Sequence, residues 1–205
     1  MSDNSRRTAL GALLAASVTG AAGVATAKTP RVSQTAEIDR LLSHWAIQEL
    51  LLSYSRSSDL QDEEMLRNCF WPESEHKHGR FEGKSQDFVG FAMKILSTLH
   101  YCAHHISNIS IQVEGNRAFS ESYYLAHHRR NAKTGGEEDV FMEGRYLDIF
   151  ERRNGVWKII RRHGISDYTS PPTPAATPYA EWPAGHTVRN GNDAYYMMLK
   201  AFRAG

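Results

Sequence analysis

The sequence predicts an α+β fold in which a curved antiparallel sheet wraps round N-terminal helices and encloses a pocket. Three observations lead there. Helical periodicity dominates the first half of the chain; after Tyr101 the apolar period becomes two; and the later strands are joined by short turns, as in a meander rather than alternating β–α units.

Residues 8–27 are an uncharged run rich in Ala, Leu, Gly and Val, preceded by Arg6 and Arg7 and ended by Ala25 and Ala27. This is the pattern of a cleaved secretory signal. Ser5-Arg6-Arg7-Thr8-Ala9-Leu10 has the twin-arginine form, which implies a bacterial protein exported to the periplasm or beyond. The run is too weakly hydrophobic for a spanning helix, so no membrane anchor is expected. Residues 28–34 read as a linker.

Ile38, Leu41, Leu42, Trp45 and Leu52 recur at helical spacing and predict a long amphipathic helix over residues 35–57. Gln61-Asp62-Glu63-Glu64 opens a second, short helix with acidic residues suited to its positive end, and Trp71-Pro72 closes it. Asp59 then stands at the corner between the two. Residues 75–82 read as a short polar strand. Gly83 and Ser85 start a third helix with an apolar stripe of Phe88, Phe91, Ala92, Ile95, Leu96 and Leu99.

Beyond Tyr101, Ile109, Ile111 and Val113 alternate with Ser110 and Gln112 up to a turn at Glu114-Gly115-Asn116. Strands over 118–130, 140–153 and 156–166 follow, separated by Gly135-Gly136 and by Asn154-Gly155, a strong hairpin signal. Of the 7 prolines, Pro171, Pro172, Pro174, Pro178 and Pro183 fall within 168–189, which reads as an extended wrapping segment. Asn192 or Asp193 is placed to cap a last helix through Met197, Met198 and Phe202. The organisation is thus a signal (1–27), a linker (28–34), one domain (35–168), and a Pro-rich tail with a C-terminal helix (169–205).

At 205 residues and 41% hydrophobic content, the chain suffices for one sizeable core. It carries 24 basic and 23 acidic side chains, and removing Arg6, Arg7 and Asp3 with the signal leaves 22 of each. A neutral domain lacks the basic stripe of a nucleic-acid binder and the polybasic patch of a membrane binder. A small apolar molecule is the expected partner. Cys69 and Cys102, far apart in sequence, do not form a disulfide framework and read as buried thiols, with a single bridge as the alternative.

The 10 histidines include the close pairs His76/His78, His104/His105 and His127/His128. His76-Lys77-His78 with Glu82 resembles a first cupin motif, whose histidines and glutamate meet on one ion. The flanking glycines of that motif are replaced by Phe70 and Val89, so solvated strand histidines are the preferred reading. No metal and no cofactor are expected. Adjacent histidines on a strand point to opposite faces, so at most one of each neighbouring pair faces a pocket.

Ala103-His104-His105-Ile106-Ser107-Asn108, the turn at Glu114-Gly115-Asn116 and the run from Tyr146 through Asp148, Asn154-Gly155 and Trp157 resemble SnoaL-like proteins of the NTF2-like superfamily, over residues 35–168. The resemblance implies an NTF2-like cone. Among the enzymes of that group the chain is similar to hexachlorocyclohexane dehydrochlorinase, bile-acid 7α-dehydratase and, more distantly, scytalone dehydratase, all of which catalyse eliminations. In the first two, an aspartate after the first helix pairs with a histidine four residues before an asparagine; Asp59 and His104, four before Asn108, match. Tyr54, five residues before Asp59, matches a tyrosine of the dehydratase where the dehydrochlorinase has lysine. Arg162, five after Trp157, matches an arginine that recurs in the group, with Arg145 a second candidate. Arg145 and Asn108, within the resembling segments, and His127, as one of its strand pair, are the expected substrate contacts, and the resemblance implies a homotrimer or homodimer built on the outer face of the sheet.

The chemistry such a set performs is removal of a proton from carbon. An imidazole supplies a base near neutral pH, and a carboxylate behind it fixes the tautomer and stabilises the imidazolium. Tyr54 would donate a hydrogen bond to a carbonyl as enolate charge develops, and Arg162 would steady charge there or on the leaving group. The expected function is therefore a cofactor-free lyase, a dehydratase or related isomerase, acting next to a carbonyl in an apolar, steroid-like hydroxylated substrate. The alternatives are a non-catalytic binding or assembly module, as in dioxygenase small subunits of this fold, and a cupin-like metal enzyme.

Overall fold

The computed structural model describes residues 33–182, 186–189 and 191–205. The signal expected at 1–27 and nearly all of the linker at 28–34 lie outside the described residues. Helix α1 (Gln34–Asp59) is followed by α2 (Glu63–Asn68), the strands β1 (Phe70–His78) and β2 (Phe81–Lys84), and helix α3 (Ser85–Leu96). The long strands β3 (Leu99–Glu114), β4 (Arg117–Asn131), β5 (Glu137–Arg153) and β6 (Val156–Thr169) then form the meander, before a short β7 (Thr173–Pro174) and the final α4 (Ala194–Ala204).

The sheet runs in the order β2-β1-β6-β5-β4-β3, with β7 added to β5. All pairings are antiparallel except β1 with β6. This is the curved, unclosed α+β cone that the sequence predicts. The β5–β6 hairpin turns at Asn154 (φ 50°) and Gly155 (φ 80°), the two consecutive left-handed residues that a tight hairpin requires.

Helix α1 buries a stripe, Ile47, Leu51 and Tyr54, against Phe70, Trp157, Phe150 and Ile159. Each such fully buried aliphatic or aromatic side chain is worth about 1.5–3 kcal/mol of transfer free energy. Only the C-terminal half of the helix packs this way. Ile38, Leu41, Leu42 and Trp45, expected on the core face, are exposed, Trp45 at 65%.

Three boundaries differ from expectation. Leu99, counted with the stripe of the third helix, opens β3, because α3 ends at Leu96. The second helix stops at Asn68, and Phe70-Trp71-Pro72 opens β1 rather than closing the helix. Pro72 is accommodated because the β1–β6 register breaks between Phe70 and Glu75, so its missing N–H costs no ladder bond. The single polar strand expected at 75–82 is a hairpin of β1 and β2, with His78 paired to Phe81.

The interior of the cone carries a polar row. Ser120, Asp148, Arg162 and His76 are aligned neighbours across β4, β5, β6 and β1, and all four are buried. On β4 the small or polar Ala118, Ser120, Ser122 and Ala126 point inward while Phe119, Tyr123 and Leu125 point out. Inward and outward are inverted relative to the usual apolar-in pattern.

The proline-rich tail is held at the open end of the sheet. Tyr179 stacks against Tyr101 (5.5 Å between ring centroids) and Trp182 (4.9 Å), and the Arg129 guanidinium lies 4.6 Å from the Trp182 ring. Arg189 donates to the carbonyl oxygens of Leu96 (3.2 Å) and Leu99 (2.8 Å). Asp193 caps α4 by accepting from the Tyr195 backbone N–H at 2.9 Å.

Candidate active site

The last turn of α1 places Asp59 opposite β3. The His104 backbone N–H donates to Asp59 Oδ2 at 3.0 Å, and the His104 ring meets Asp59 Oδ1 through Nδ1 at 2.6 Å. Two bonds to one carboxylate fix both the position and the ring orientation of the histidine. With Nδ1–H donating to Asp59, the lone pair available to a ligand is on Nε2.

His104 lines a cavity of 290 Å³ between α1, α3 and the sheet. Phe88, Phe91, Ala92, Ile95 and Leu96 of α3 form its apolar wall. The opposing wall is polar and aromatic: Tyr54, His78, His104, His128, Tyr146 and Ser166, with Gly79 and Arg80 of the β1–β2 turn. One greasy wall facing a few convergent polar groups is the usual form of a small-molecule site.

Tyr54 is buried, and burial pushes its phenol up, opposed by the charge of Arg162, so it faces the cavity as a neutral O–H group. Arg162 does not line the cavity, contrary to expectation. It is fully buried behind the tyrosines, with its guanidinium carbon 3.8 Å from the Tyr54 ring centroid and 4.4 Å from that of Tyr146. Asp148 holds it bidentately, 2.7 Å from Nε to Oδ1 and 2.7 Å from Nη2 to Oδ2. Burial opposes its charge, but Asp148 more than offsets this and holds its pKa above the ordinary arginine value. Arg162 therefore positions the two tyrosines rather than touching a ligand.

The three expected substrate contacts also lie elsewhere. Arg145 points outward to Glu121 (3.0 Å) and Asp167 (3.3 Å) because inward positions on β5 are the even-numbered ones. Asn108 is exposed at the bulge between Ser107 and Ser110, with φ 47°. His127 is on the outer face, 2.7 Å from Asp139 Oδ1 and stacked on Phe141 at 4.5 Å. Its neighbour His128 is the one that faces the cavity, 5.5 Å from the His104 ring. His128 Nε2 is buried without a protein partner.

His76 and His78 are not solvated strand residues. His76 is buried with its ring 3.5 Å from that of Phe88 and nearly parallel, and His78 lies against the cavity. Gly164 makes room for His78, since a Cβ there would meet the imidazole at 2.7 Å. Gly164→Ala is therefore expected to displace His78 into the cavity and weaken ligand binding, read by ligand titration. Glu82 sits on the opposite face, paired with Lys77 at 3.2 Å, so the cupin-type trio of His76, His78 and Glu82 is not assembled.

Three of these imidazoles are held neutral. Burial lowers His76 to about 2, His78 to about 4 and His128 to about 3. An unfolded histidine binds its proton near 6.5, so below that value the unfolded chain takes up protons that the folded one refuses. The contribution of these histidines to stability is expected to be flat above pH 6.5 and to fall between 6.5 and about 4, by about 1.4 kcal/mol per pH unit for each such histidine. Denaturant melts at pH 7 and pH 5 check this.

Cys69 and Cys102 are free and buried. Burial pushes the Cys102 thiol up to about 12, so it is protonated at neutral pH and not poised as a nucleophile. Proton transfer through His104 is the chemistry that the site offers.

An α+β cone whose cavity wall carries a carboxylate-held imidazole defines a class of small-molecule proteins. The chain belongs within it to the SnoaL-like family, whose SnoaL-like domain model matches residues 39–163. It is 25% identical over 140 residues to gamma-hexachlorocyclohexane dehydrochlorinase of Sphingobium indicum, covering 66% of this chain and 87% of that protein. Among solved structures, a hexachlorocyclohexane dehydrochlorinase superimposes with a TM-score of 0.62 at 22% identity, covering 73% of this chain and 99% of the other. A scytalone dehydratase-like protein of Novosphingobium aromaticivorans superimposes with a TM-score of 0.59 at 26% identity, covering 72% and 99%. The curated relatives are lyases, and this likeness supports lyase-type activity at low identity.

Proposed function

We propose that the protein is a cofactor-free lyase that uses His104, held by Asp59, to take a proton from carbon next to a carbonyl in an apolar hydroxylated substrate. The observation that carries this reading is the 2.6 Å contact between His104 Nδ1 and Asp59 at the wall of a largely apolar cavity. Asp59 keeps Nε2 free to accept the proton and stabilises the imidazolium that results. Tyr54, a neutral phenol on the same wall, is the donor to the carbonyl oxygen as it gains charge. His128, neutral and unpartnered at Nε2, is placed to bind the departing hydroxyl group.

The cavity lies at the small end of the roughly 300–1,000 Å³ range of ligand sites. That volume suits a one- or two-ring ketone. The half-buried acid–base pair at the cavity wall favours an enzyme over a non-catalytic module of this fold. We place the protein outside the cytoplasm, exported through the arginine-led signal. The outward Phe119, Tyr123, Leu125 and Phe141 favour association of copies through the sheet.

The test is a panel of cyclic β-hydroxy ketones, with chlorinated cyclohexanes alongside, incubated with purified protein and analysed by mass spectrometry. Loss of water from a hydroxy ketone is the expected result. Loss of hydrogen chloride alone would move the leaving group to chloride, and no turnover anywhere with tight binding would return the protein to a binding role.

A further inference from the structure

The His104–Asp59 pair also has a thiol within reach of a His104 ring nitrogen. Cys102 and His104 are two residues apart on β3 and so face α1 together, with Asp59 opposite them at the end of that helix. The Cys102 sulfur, a His104 ring nitrogen and an Asp59 carboxylate oxygen all lie within 4.8 Å of one another. Thiolate, imidazole and carboxylate are the three ligand types that zinc takes. Metal–ligand bonds of about 2.0–2.3 Å place neighbouring tetrahedral ligands about 3.3–3.8 Å apart. Closing such a site takes side-chain rotations that draw the sulfur inward and part the His104–Asp59 contact, 2.6 Å without an ion, to about 3.3 Å.

There is also a way in. A second pocket of 390 Å³ is lined by Leu52, Asp59, Tyr101, Cys102, His104 and Tyr195 among others, and it shares only His104 with the substrate cavity. An ion entering there reaches the trio without crossing the substrate's position.

We infer that Asp59, Cys102 and His104 form a zinc site whose occupation removes His104 as a base. A neutral imidazole coordinated through Nδ1 carries its proton on Nε2. The lone pair that the substrate needs is then gone. The Cys102 thiol proton passes to solvent, and the His104 proton is exchanged from Nδ1 to Nε2, so one proton is released for each ion bound. The inhibitory half of this inference rests on His104 acting as the base; the metal site itself does not.

The experiment titrates metal-free full-length protein with cobalt(II) as a spectroscopic probe for zinc. One equivalent is expected to raise a near-ultraviolet thiolate-to-cobalt band together with the visible bands of a tetrahedral ion. Cys102→Ser is expected to remove the thiolate band and Cys69→Ser to keep it. His104→Gln, which leaves Cys102 in place, is expected to lose the tetrahedral bands. Nitrogen-15 NMR with one equivalent of zinc is expected to move the His104 proton from Nδ1 to Nε2. No thiolate band in the wild type, a band that survives Cys102→Ser, or an Nδ1–H unchanged by zinc would overturn the site. Full turnover with zinc bound would instead overturn the role of His104 as base.

Discussion

His104→Gln is expected to lower kcat by about 10²–10⁴ while leaving the fold intact. The imidazole is mostly covered, and its one strong side-chain bond is to Asp59 at the protein's own surface pocket, so glutamine removes the base without opening a core cavity. The loss belongs to kcat rather than KM, because proton removal occurs only on the way to the transition state. Asp59→Asn is expected to act in the same direction. An amide at Oδ1 presents either a donor or a weaker acceptor to Nδ1, and in the first case the proton sits on the wrong ring nitrogen. Steady-state kinetics with circular dichroism of each variant check both.

The second large effect concerns stability. Asp148→Ala leaves the Arg162 charge fully buried with only the faces of Tyr54 and Tyr146 for company. Breaking one half of such a pair costs about 3–5 kcal/mol, and at about 2–4 °C per kcal/mol for a domain of this size the melting temperature falls by roughly 6–20 °C. Replacing both partners, with Asp148→Leu and Arg162→Met, is expected to recover most of that stability, since no uncompensated charge remains. The double variant keeps its fold but loses the guanidinium that orients Tyr54. Its activity is therefore expected to stay low when its melting temperature returns.

The elements of this protein were legible where one face of an element is uniformly apolar. The α3 stripe, the Asn154-Gly155 hairpin and the Asp193 cap follow local rules that packing does not override. Asp59 was legible as a helix-corner residue, but its pairing with His104 across 45 residues was legible only through the spacing to Asn108 that the family resemblance supplies, since strand parity does not choose between His104 and His105.

The errors have a common physical source. On β4 the inward side chains are mostly serine and alanine, with Tyr124, while Phe119, Tyr123 and Leu125 point outward, so apolar alternation does not tell which of His127 and His128 faces the cavity, whereas parity with buried Ser120 and Ser122 selects His128. Arg162 reads as a pocket residue by its spacing from Trp157, but a bidentate aspartate on the neighbouring strand draws it into the core. Asp148 signalled this only through register, being the direct partner of Arg162 across β5 and β6. The apolar residues at the start of α1 face nothing within the described residues, and periodicity does not reveal what an amphipathic face packs against.

Exchange of hydrogen at the carbon next to the carbonyl tests the central claim most directly. With a hydroxy ketone that the protein binds, incubation in deuterated water is expected to place deuterium at that carbon with wild-type protein and to leave it unlabelled with His104→Ala. Exchange or water loss continuing at the wild-type rate in His104→Ala would contradict the assignment of His104 as the base.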